Sequence, residues 1–132
     1  MLAKQFRLRS KDVKFLTKKR NYISSGFFGF FYVKQDDNLR FNQFSFHVPL
    51  KYSKKAVHRN QIRRCLYNYY RIKWLSDKKI WNNYYKVFVV LQKNGIDEFK
   101  KQIEKKSEKD ILDFVYSVFS VSLSNFTKIV SK

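Results

Sequence analysis

The chain has 132 residues, of which 44% are hydrophobic, and this is enough for one modest core in a single domain spanning residues 1–132. Its formal net charge of +19, from 29 Lys and Arg against 10 Asp and Glu, indicates a polyanionic partner. No apolar run is long enough to span a membrane, charge interrupts the N-terminus before any signal-like stretch, and Cys65 is the only cysteine, so we expect a cytoplasmic protein without disulfides.

The first half of the chain contains one predicted helix followed by two predicted strands. A serine that can cap a helix precedes a short helical pattern over residues 11–19. Residues 27–34 form an aromatic run of strand length, and residues 35–38 have the composition of a hairpin turn. The next segment, 39–48, alternates apolar and polar side chains as a half-buried strand does, until Pro49 ends it.

The first of these strands carries aromatic rings on both faces, so its orientation is a choice between two faces. We expect Phe27, Phe31 and Val33 to point into the core. The opposite face would then line an open cleft, and its members are Phe28, Phe30 and Tyr32. Most of these rings should still serve packing rather than recognition.

The second half begins with a long helix over residues 53–74, which contain neither glycine nor proline. Its apolar arc comprises Ile62, Cys65, Leu66 and Tyr69, and its basic arc comprises Arg59, Asn60, Arg63, Arg64 and Arg71. Residues 86–91 are predicted as a buried strand, and the remainder as one helix or two, with 106–132 as a helical extension. The order helix, strand, strand, helix, strand, helix defines a two-layer α/β domain whose long helix connects two strands that can lie parallel.

Basic charge is concentrated in and before this long helix. Residues 1–79 hold 20 basic and 4 acidic residues, whereas residues 80–132 hold 9 and 6, so the net charges are +16 and +3. An A+T-rich coding sequence would by itself raise the lysine content. The clustering of three of the chain's eight arginines within Arg59–Arg64 is therefore the stronger indication of a binding surface.

No acidic residue occurs between residues 51 and 73, although eight basic ones do. A helix face that only meets water normally mixes the two signs of charge, so this segment favours contact with several phosphates. Arginine forks suit phosphate oxygens, and an asparagine amide can both donate and accept. The predicted RNA-binding residues are Lys51, Lys54, Lys55, Arg59, Asn60, Arg63, Arg64 and Arg71.

The segment from Val48 to Arg64 resembles the signature of the ribonuclease P protein family. That signature is a strand ending in Val, a Ser-Lys-Lys-like loop, and then Ala-Val-x-Arg-Asn-Arg-Ile-Lys/Arg-Arg at the start of a long helix; this chain has Ser53-Lys54-Lys55-Ala56-Val57-His58-Arg59-Asn60-Gln61-Ile62-Arg63-Arg64. Arg7-Leu8-Arg9 and the helix that follows are also similar to the family's N-terminus, and the similarity covers roughly residues 4–105.

The chain also departs from the family pattern at several positions. These are Pro49 for a small residue, Leu50 for a loop lysine, Gln61 for an arginine and Tyr67 for a frequent arginine. In the first helix, the family's pair of aromatic residues falls on Val13 and Thr17, with Phe15 beside them. This difference leaves open whether the first helix stacks on RNA.

The resemblance implies a sandwich with a mixed sheet and a left-handed βαβ crossover, against the usual right-handed rule. It also implies that the Arg-Asn helix contacts the ribonuclease P RNA, and that a cleft between the first helix and the sheet holds the single-stranded 5′ leader of precursor tRNA. The cleft candidates are Phe15, Phe28, Phe30 and Tyr32. The RNA subunit would hydrolyse the phosphodiester with Mg²⁺, so we expect no catalytic side chain, no metal site on the protein, and a monomer in a 1:1 complex.

Other functions have less support from the residues. His47 and His58 lack a cysteine or carboxylate at ligand spacing, which disfavours zinc, and Cys65 is placed as a small core residue. A small ribosomal or other RNA-binding protein without a processing role remains an alternative, and it would not distinguish precursor from mature tRNA. A basic protein of the membrane surface is disfavoured by the clustered arginines and the intervening strands.

Overall fold

The computed structural model describes residues 7–19, 21–36, 38–39, 41–73 and 84–130. Its elements are α1 (Ser10–Lys19), β1 (Tyr22–Ser25), β2 (Phe28–Lys34), β3 (Gln43–His47), α2 (Ala56–Lys73), β4 (Tyr85–Leu91), α3 (Ile96–Ile103) and α4 (Glu108–Val130). The strands form one sheet in the order β1-β2-β4-β3. β3 and β4 are parallel and the other neighbours are antiparallel, so the α/β class and the mixed sheet are confirmed, with α2 connecting the parallel pair.

One face of the sheet forms the core together with α2, α3 and α4. Alternate strand residues point to this face, among them the fully buried Phe28, Phe30, Phe44, Val87 and Val89. The helices cover them with Ile62, Leu66, Phe99, Val115, Phe119 and Phe126, which are also fully buried. Because α4 supplies part of this layer, the predicted helical extension packs into the same core as the sheet.

The predicted orientation of β2 is wrong. Phe28 and Phe30 are 0% exposed in the core, whereas Phe31 and Val33 lie half-buried on the opposite face. The inward position expected for Phe27 is confirmed, because this residue, in the turn before β2, packs against the core ring of Phe99 with 5.3 Å between centroids. The ring of Phe30 stacks on Phe126 of α4 with 4.5 Å between centroids. Both faces of β2 are aromatic, so periodicity could not choose between them, and the apolar partners on β4 and α4 decided the orientation.

Two features of strand pairing also differ from the prediction. The sequence analysis missed β1, which forms a hairpin with β2 through Gly26 and Phe27; Gly26 has a φ of 59°, a left-handed conformation that glycine adopts without strain. The predicted hairpin at 35–38 is wrong, because β4 lies between β2 and β3. The Asp and Asn residues mark a turn, but a turn does not determine which strand becomes the neighbour.

Helix boundaries depend on caps that the sequence only partly revealed. α1 begins one residue earlier than predicted, because Arg9 rather than Ser10 is the cap: its carbonyl accepts from the N–H of Val13, and its N–H donates to Asp12 Oδ2 at 3.2 Å. The C-terminal region contains two helices, and Ser107 Oγ caps the second by accepting from the N–H of Asp110 at 3.2 Å. The predicted end of the long helix at 74 lies outside the described residues.

Candidate nucleic-acid interface

The exposed face of α2 presents guanidinium groups without acidic partners. Asn60, Arg64 and Arg71 are exposed, and Arg59 and Arg63 are half-buried. Among the residues that the structure describes, no ion pair joins Arg59, Arg63 or Arg64 to a carboxylate. Their positive charges are therefore not neutralised within the described chain and remain available to an anion.

Two of these arginines are held in place by neutral groups. Arg59 Nη1 donates to the backbone carbonyl of Ser53 at 2.8 Å and so ties the start of α2 to the preceding loop. Arg63 Nη2 donates to the side-chain oxygen of Asn60, and Arg63 Nε is buried without a hydrogen-bond partner. A neutral acceptor orients a guanidinium and leaves its charge intact, which suits an anion-binding role.

Residues from the N-terminal segment and from α2 meet at a depression of about 530 Å³. Its lining comprises Arg7, Asn60, Arg63, Arg64, Tyr67 and Asn68. Arg7 reaches this place because its backbone forms a bridge to Phe44 at the edge of β3. The sequence analysis did not assign Arg7 to the binding set, since its proximity to α2 depends on this pairing.

The remaining predicted RNA-binding residues extend this surface in two directions. Lys51, Lys54 and Lys55 are exposed in the turns that precede α2. Arg71 lies two helical turns beyond Arg64, outside the depression, and its Nη2 donates to Asn68 Oδ1 at 3.4 Å. The structure thus places all eight predicted residues on α2 or the loop before it, and three of them, Asn60, Arg63 and Arg64, around one depression.

The second surface is the face of the sheet opposite to the core. α1 contacts β2 and β4 here, and Lys86 Nζ anchors it through Asp12 Oδ1 at 3.2 Å. Asp36 Oδ2 lies 3.7 Å from the same ammonium. The side chains of Lys86 and Asp12 are only 16% and 12% exposed, so this ion pair is more strongly shielded from solvent than one at the surface. α1 therefore covers the part of the open face formed by β2 and β4.

Four rings, one from each strand, form a row across this open face. Centroids are 4.7 Å apart for Tyr22 and Phe31, 6.1 Å for Phe31 and Phe88, and 6.2 Å for Phe88 and His47. The strand order places them side by side, although they are far apart in sequence. Rings arranged in this way can stack on unpaired bases.

His47, at the end of this row, is held toward its neutral form. Burial lowers the pKa of its imidazole, and the positive charges of Arg63, Lys93 and Arg59 lower the pKa further. Two of these charges, Arg63 and Arg59, belong to α2, so the His47 end of the ring row lies close enough to the arginine face to interact with it electrostatically. A neutral imidazole can stack on a base without adding to the local repulsion between cations.

The predicted cleft residues are distributed differently from the expectation. Phe15 on α1 is 52% exposed, with Lys19 Nζ 5.9 Å from its ring centre. Tyr32 is on the core face, half-buried against the rings of Tyr85 and Phe126, and cannot line the open face. Phe28 and Phe30 are wrong as cleft residues because they are fully buried. The sequence analysis missed the ring row, which only the register between strands could have revealed.

Other chemistry has little basis in the described residues. Burial raises the pKa of the Cys65 thiol, which disfavours its reactive thiolate form. His58 Nδ1 lies 3.0 Å from Ser53 Oγ in the loop before α2. No group of three His, Cys, Asp or Glu side chains that could hold a metal ion occurs in the described part of the chain. Within that part, no helix has the length and apolar character needed to cross a membrane.

Comparison with known proteins gives the family. The model of the family described as Ribonuclease P matches residues 2–113. The RNase P protein from Thermotoga maritima is similar in structure, with a TM-score of 0.61, 20% identity, and coverage of 92% of this chain and 94% of that one. A Staphylococcus aureus RNase P protein mutant with defective mRNA degradation activity gives a TM-score of 0.60, 16% identity, and coverage of 91% and 90%. A search of curated proteins finds no match.

The fold is therefore that of the ribonuclease P proteins, with the mixed four-stranded sheet and four helices found here. The family model covers most of the chain, and the chain belongs to the ribonuclease P protein family. It is a protein subunit of that tRNA-processing enzyme, and its partner is the ribonuclease P RNA. The matched region ends within α4, whose later residues Phe119 and Phe126 complete the core.

Proposed function

We propose that this chain binds the ribonuclease P RNA through α2 and holds the single-stranded 5′ leader of precursor tRNA on the open face of its sheet. In this way it promotes maturation of the 5′ end of tRNA. The observation that carries the proposal is the set of arginines on α2, from Arg59 to Arg64, which have no carboxylate partner among the described residues.

Electrostatics supports the assignment of α2 to folded RNA. Each phosphate that a Lys or Arg neutralises releases condensed counterions, so a surface with several unpaired cations gains affinity from every contact. Asn60, Arg63 and Arg64 surround the depression beside Arg7, and Lys51, Lys54 and Lys55 continue the basic surface along the preceding loop. Arg71 extends it toward the other end of the helix.

The open sheet face suits the leader because it combines exposed and half-buried rings with nearby positive charge. A base that stacks on an aromatic ring contributes about 1–3 kcal/mol, and stacking tolerates any sequence. The row from Tyr22 to His47 offers such rings, and α1, which packs on the same face, presents the exposed ring of Phe15. Lys93, which is exposed, follows β4 and can meet the leader backbone.

In this proposal the RNA subunit carries the chemistry and uses Mg²⁺, and the protein supplies binding and orientation. Its side chains neutralise phosphates and position the leader, and none of them is catalytic. We further propose that one protein binds one RNA and that the complex acts in the cytoplasm.

Reconstitution tests the proposal. The full chain is added to ribonuclease P RNA from the same organism, and single-turnover cleavage of precursor tRNA is measured over a range of Mg²⁺ concentrations. We expect cleavage at lower Mg²⁺ with the protein than without it, and a larger gain in affinity for precursor than for mature tRNA. Equal affinity for the two tRNAs, together with unchanged Mg²⁺ dependence, would refute the proposal and favour an RNA-binding protein without a processing role.

A further inference from the structure

One lysine of β4 ties α1 to the sheet. Val87 and Val89 point into the core, so Lys86 and Phe88 lie on the open face, about 7 Å apart along the strand. Lys86 Nζ lies 3.2 Å from Asp12 Oδ1 of α1. Among the described residues, this is the one ion pair that joins α1 to the sheet, and it lies beside the row of rings.

The apolar attachment of α1 is small. Leu16 is the one residue of this helix that is fully buried, and Asp12 lies one turn before it on the same stripe. A single apolar contact has no preferred direction, so Leu16 alone would leave α1 free to pivot on the sheet. The ion pair adds a second, directional point of attachment, and two points fix the orientation of the helix.

The carboxylate of Asp12 also determines where α1 starts. Its Oδ2 accepts from the N–H of Arg9 at 3.2 Å, while its Oδ1 faces Lys86. The first turn of α1 therefore cannot shift along the sheet without losing one of these two contacts. Phe15, whose ring is exposed, follows Asp12 by about one turn, so the place of this ring above the sheet depends on the same carboxylate.

The charges of α1 are sorted between its two faces. Its four lysines, Lys11, Lys14, Lys18 and Lys19, are exposed, whereas the side chain of its only acid, Asp12, is 12% exposed. Lys86 thus holds the negative charge of α1 against the sheet, and the surface that α1 presents to solvent is basic. A polyanion that approaches α1 meets cations without an intervening carboxylate.

We infer that Lys86 is a positioning residue for the leader: through Asp12 it fixes α1 on the open face, and leader affinity depends on this anchor; the inference rests on the leader binding proposed above. Lys86 is not itself a ligand for phosphate in this arrangement. Its side chain is 16% exposed, and its charge is already balanced by Asp12 and, at 3.7 Å, by Asp36.

The test uses holoenzyme reconstituted with the full chain and measures the ratio of the affinities for precursor and leaderless tRNA. Methionine has nearly the length of lysine but no charge, and Lys86→Met should reduce this ratio about ten-fold, within the range for the loss of one stacked base. Asp12→Asn can still accept from the N–H of Arg9, so it keeps the cap, and it should reduce the ratio equally. The double variant leaves no charge uncompensated, so it tests the inference even if a single change unfolds the chain; its loss should equal that of one change, because both act on one anchor.

Further measurements separate positioning from a general loss of structure. Affinity for the ribonuclease P RNA should not change in Lys86→Met, because α2 packs on the other face of the sheet. Amide hydrogen exchange should become faster in α1 and stay the same in α2. Lys86→Arg keeps the charge and should keep most of the ratio. The matched control is Lys34→Met, at an exposed lysine of the neighbouring strand β2, which should leave the ratio unchanged.

An unchanged ratio in Lys86→Met or in the double variant would overturn this inference, and so would an equally large loss of affinity for the ribonuclease P RNA. In those cases the unmodified chain still binds precursor more tightly than leaderless tRNA. Equal affinity of the unmodified chain for the two tRNAs would instead refute the leader-binding proposal, and the inference with it.

Discussion

Phe30 and Phe31 are neighbouring residues of β2, and replacing each of them by alanine should have a different effect. Phe30 is 0% exposed and packs against Phe119 and Phe126 of α4, with ring centroids 6.2 and 4.5 Å away. Phe31 points to the open face, where it contacts the rings of Tyr22 and Phe88. One substitution therefore removes core packing, and the other removes a stacking surface.

The expected magnitudes follow from these environments. Complete removal of a buried phenylalanine ring costs about 3–5 kcal/mol, a large part of the roughly 5–15 kcal/mol that stabilises a typical domain. Phe31 is half-buried, so Phe31→Ala should lower the free energy of unfolding by about half as much. Loss of one stacked base at about 2 kcal/mol corresponds to about a 30-fold weaker affinity for the leader.

Urea unfolding followed by fluorescence measures the free energy of unfolding. The affinity for precursor tRNA relative to leaderless tRNA measures the contribution of the leader to binding. Binding by Phe30→Ala is measured without urea, at a low temperature at which the variant is folded. Its leader affinity should then match that of the unmodified chain. Equal destabilisation by Phe30→Ala and Phe31→Ala would refute the orientation of β2. Unchanged leader affinity in Phe31→Ala would refute the role of the ring row.

Two further predictions concern charge. Arg63→Ala should reduce the magnitude of the slope of log affinity against log salt concentration for ribonuclease P RNA by about 1, because one phosphate contact is lost. The control Lys128→Ala, near the end of α4, should leave the slope unchanged. An unchanged slope in Arg63→Ala would show that Arg63 contacts no phosphate. Burial and nearby cations lower the pKa of His47 below 6.5 in the folded chain, so the unfolded chain binds more protons. The free energy of unfolding should therefore decrease as the pH falls from about 7 to about 5. His47→Gln should remove that part of the decrease in urea unfolding at several pH values, and an equally steep decrease in the variant would contradict this reasoning.

Local patterns in the sequence were sufficient for most of the individual elements. The periodicity of α2 and the apolar run of β4 depend on neighbouring residues, and both elements are present, with α2 starting at Ala56 rather than at residue 53 and β4 starting at Tyr85. The arginine face of α2 was predicted for the same reason, because helix geometry alone determines which side chains share a face. β1 was missed because four residues are too few for a periodic signal.

The pairing of strands and the choice of faces could not be predicted from local patterns. The open face contains Tyr22, Phe31, Phe88 and His47, which come from four strands and meet only because β4 lies between β2 and β3. The predicted hairpin between β2 and β3 would have separated these rings. Arg7 likewise joins the α2 arginines only through its bridge to Phe44.

The sequence by itself determined that this protein is strongly basic, that most of its net charge lies in residues 1–79, and that the long middle helix of an α/β domain has an arginine face without acidic residues. Those properties follow from composition and from the fixed geometry of a single helix. The tertiary structure alone decided which face of the sheet is open, because β2 is apolar on both sides and buries the side that α4 and the valines of β4 can cover. The surface that we propose for the leader exists as a consequence of that choice.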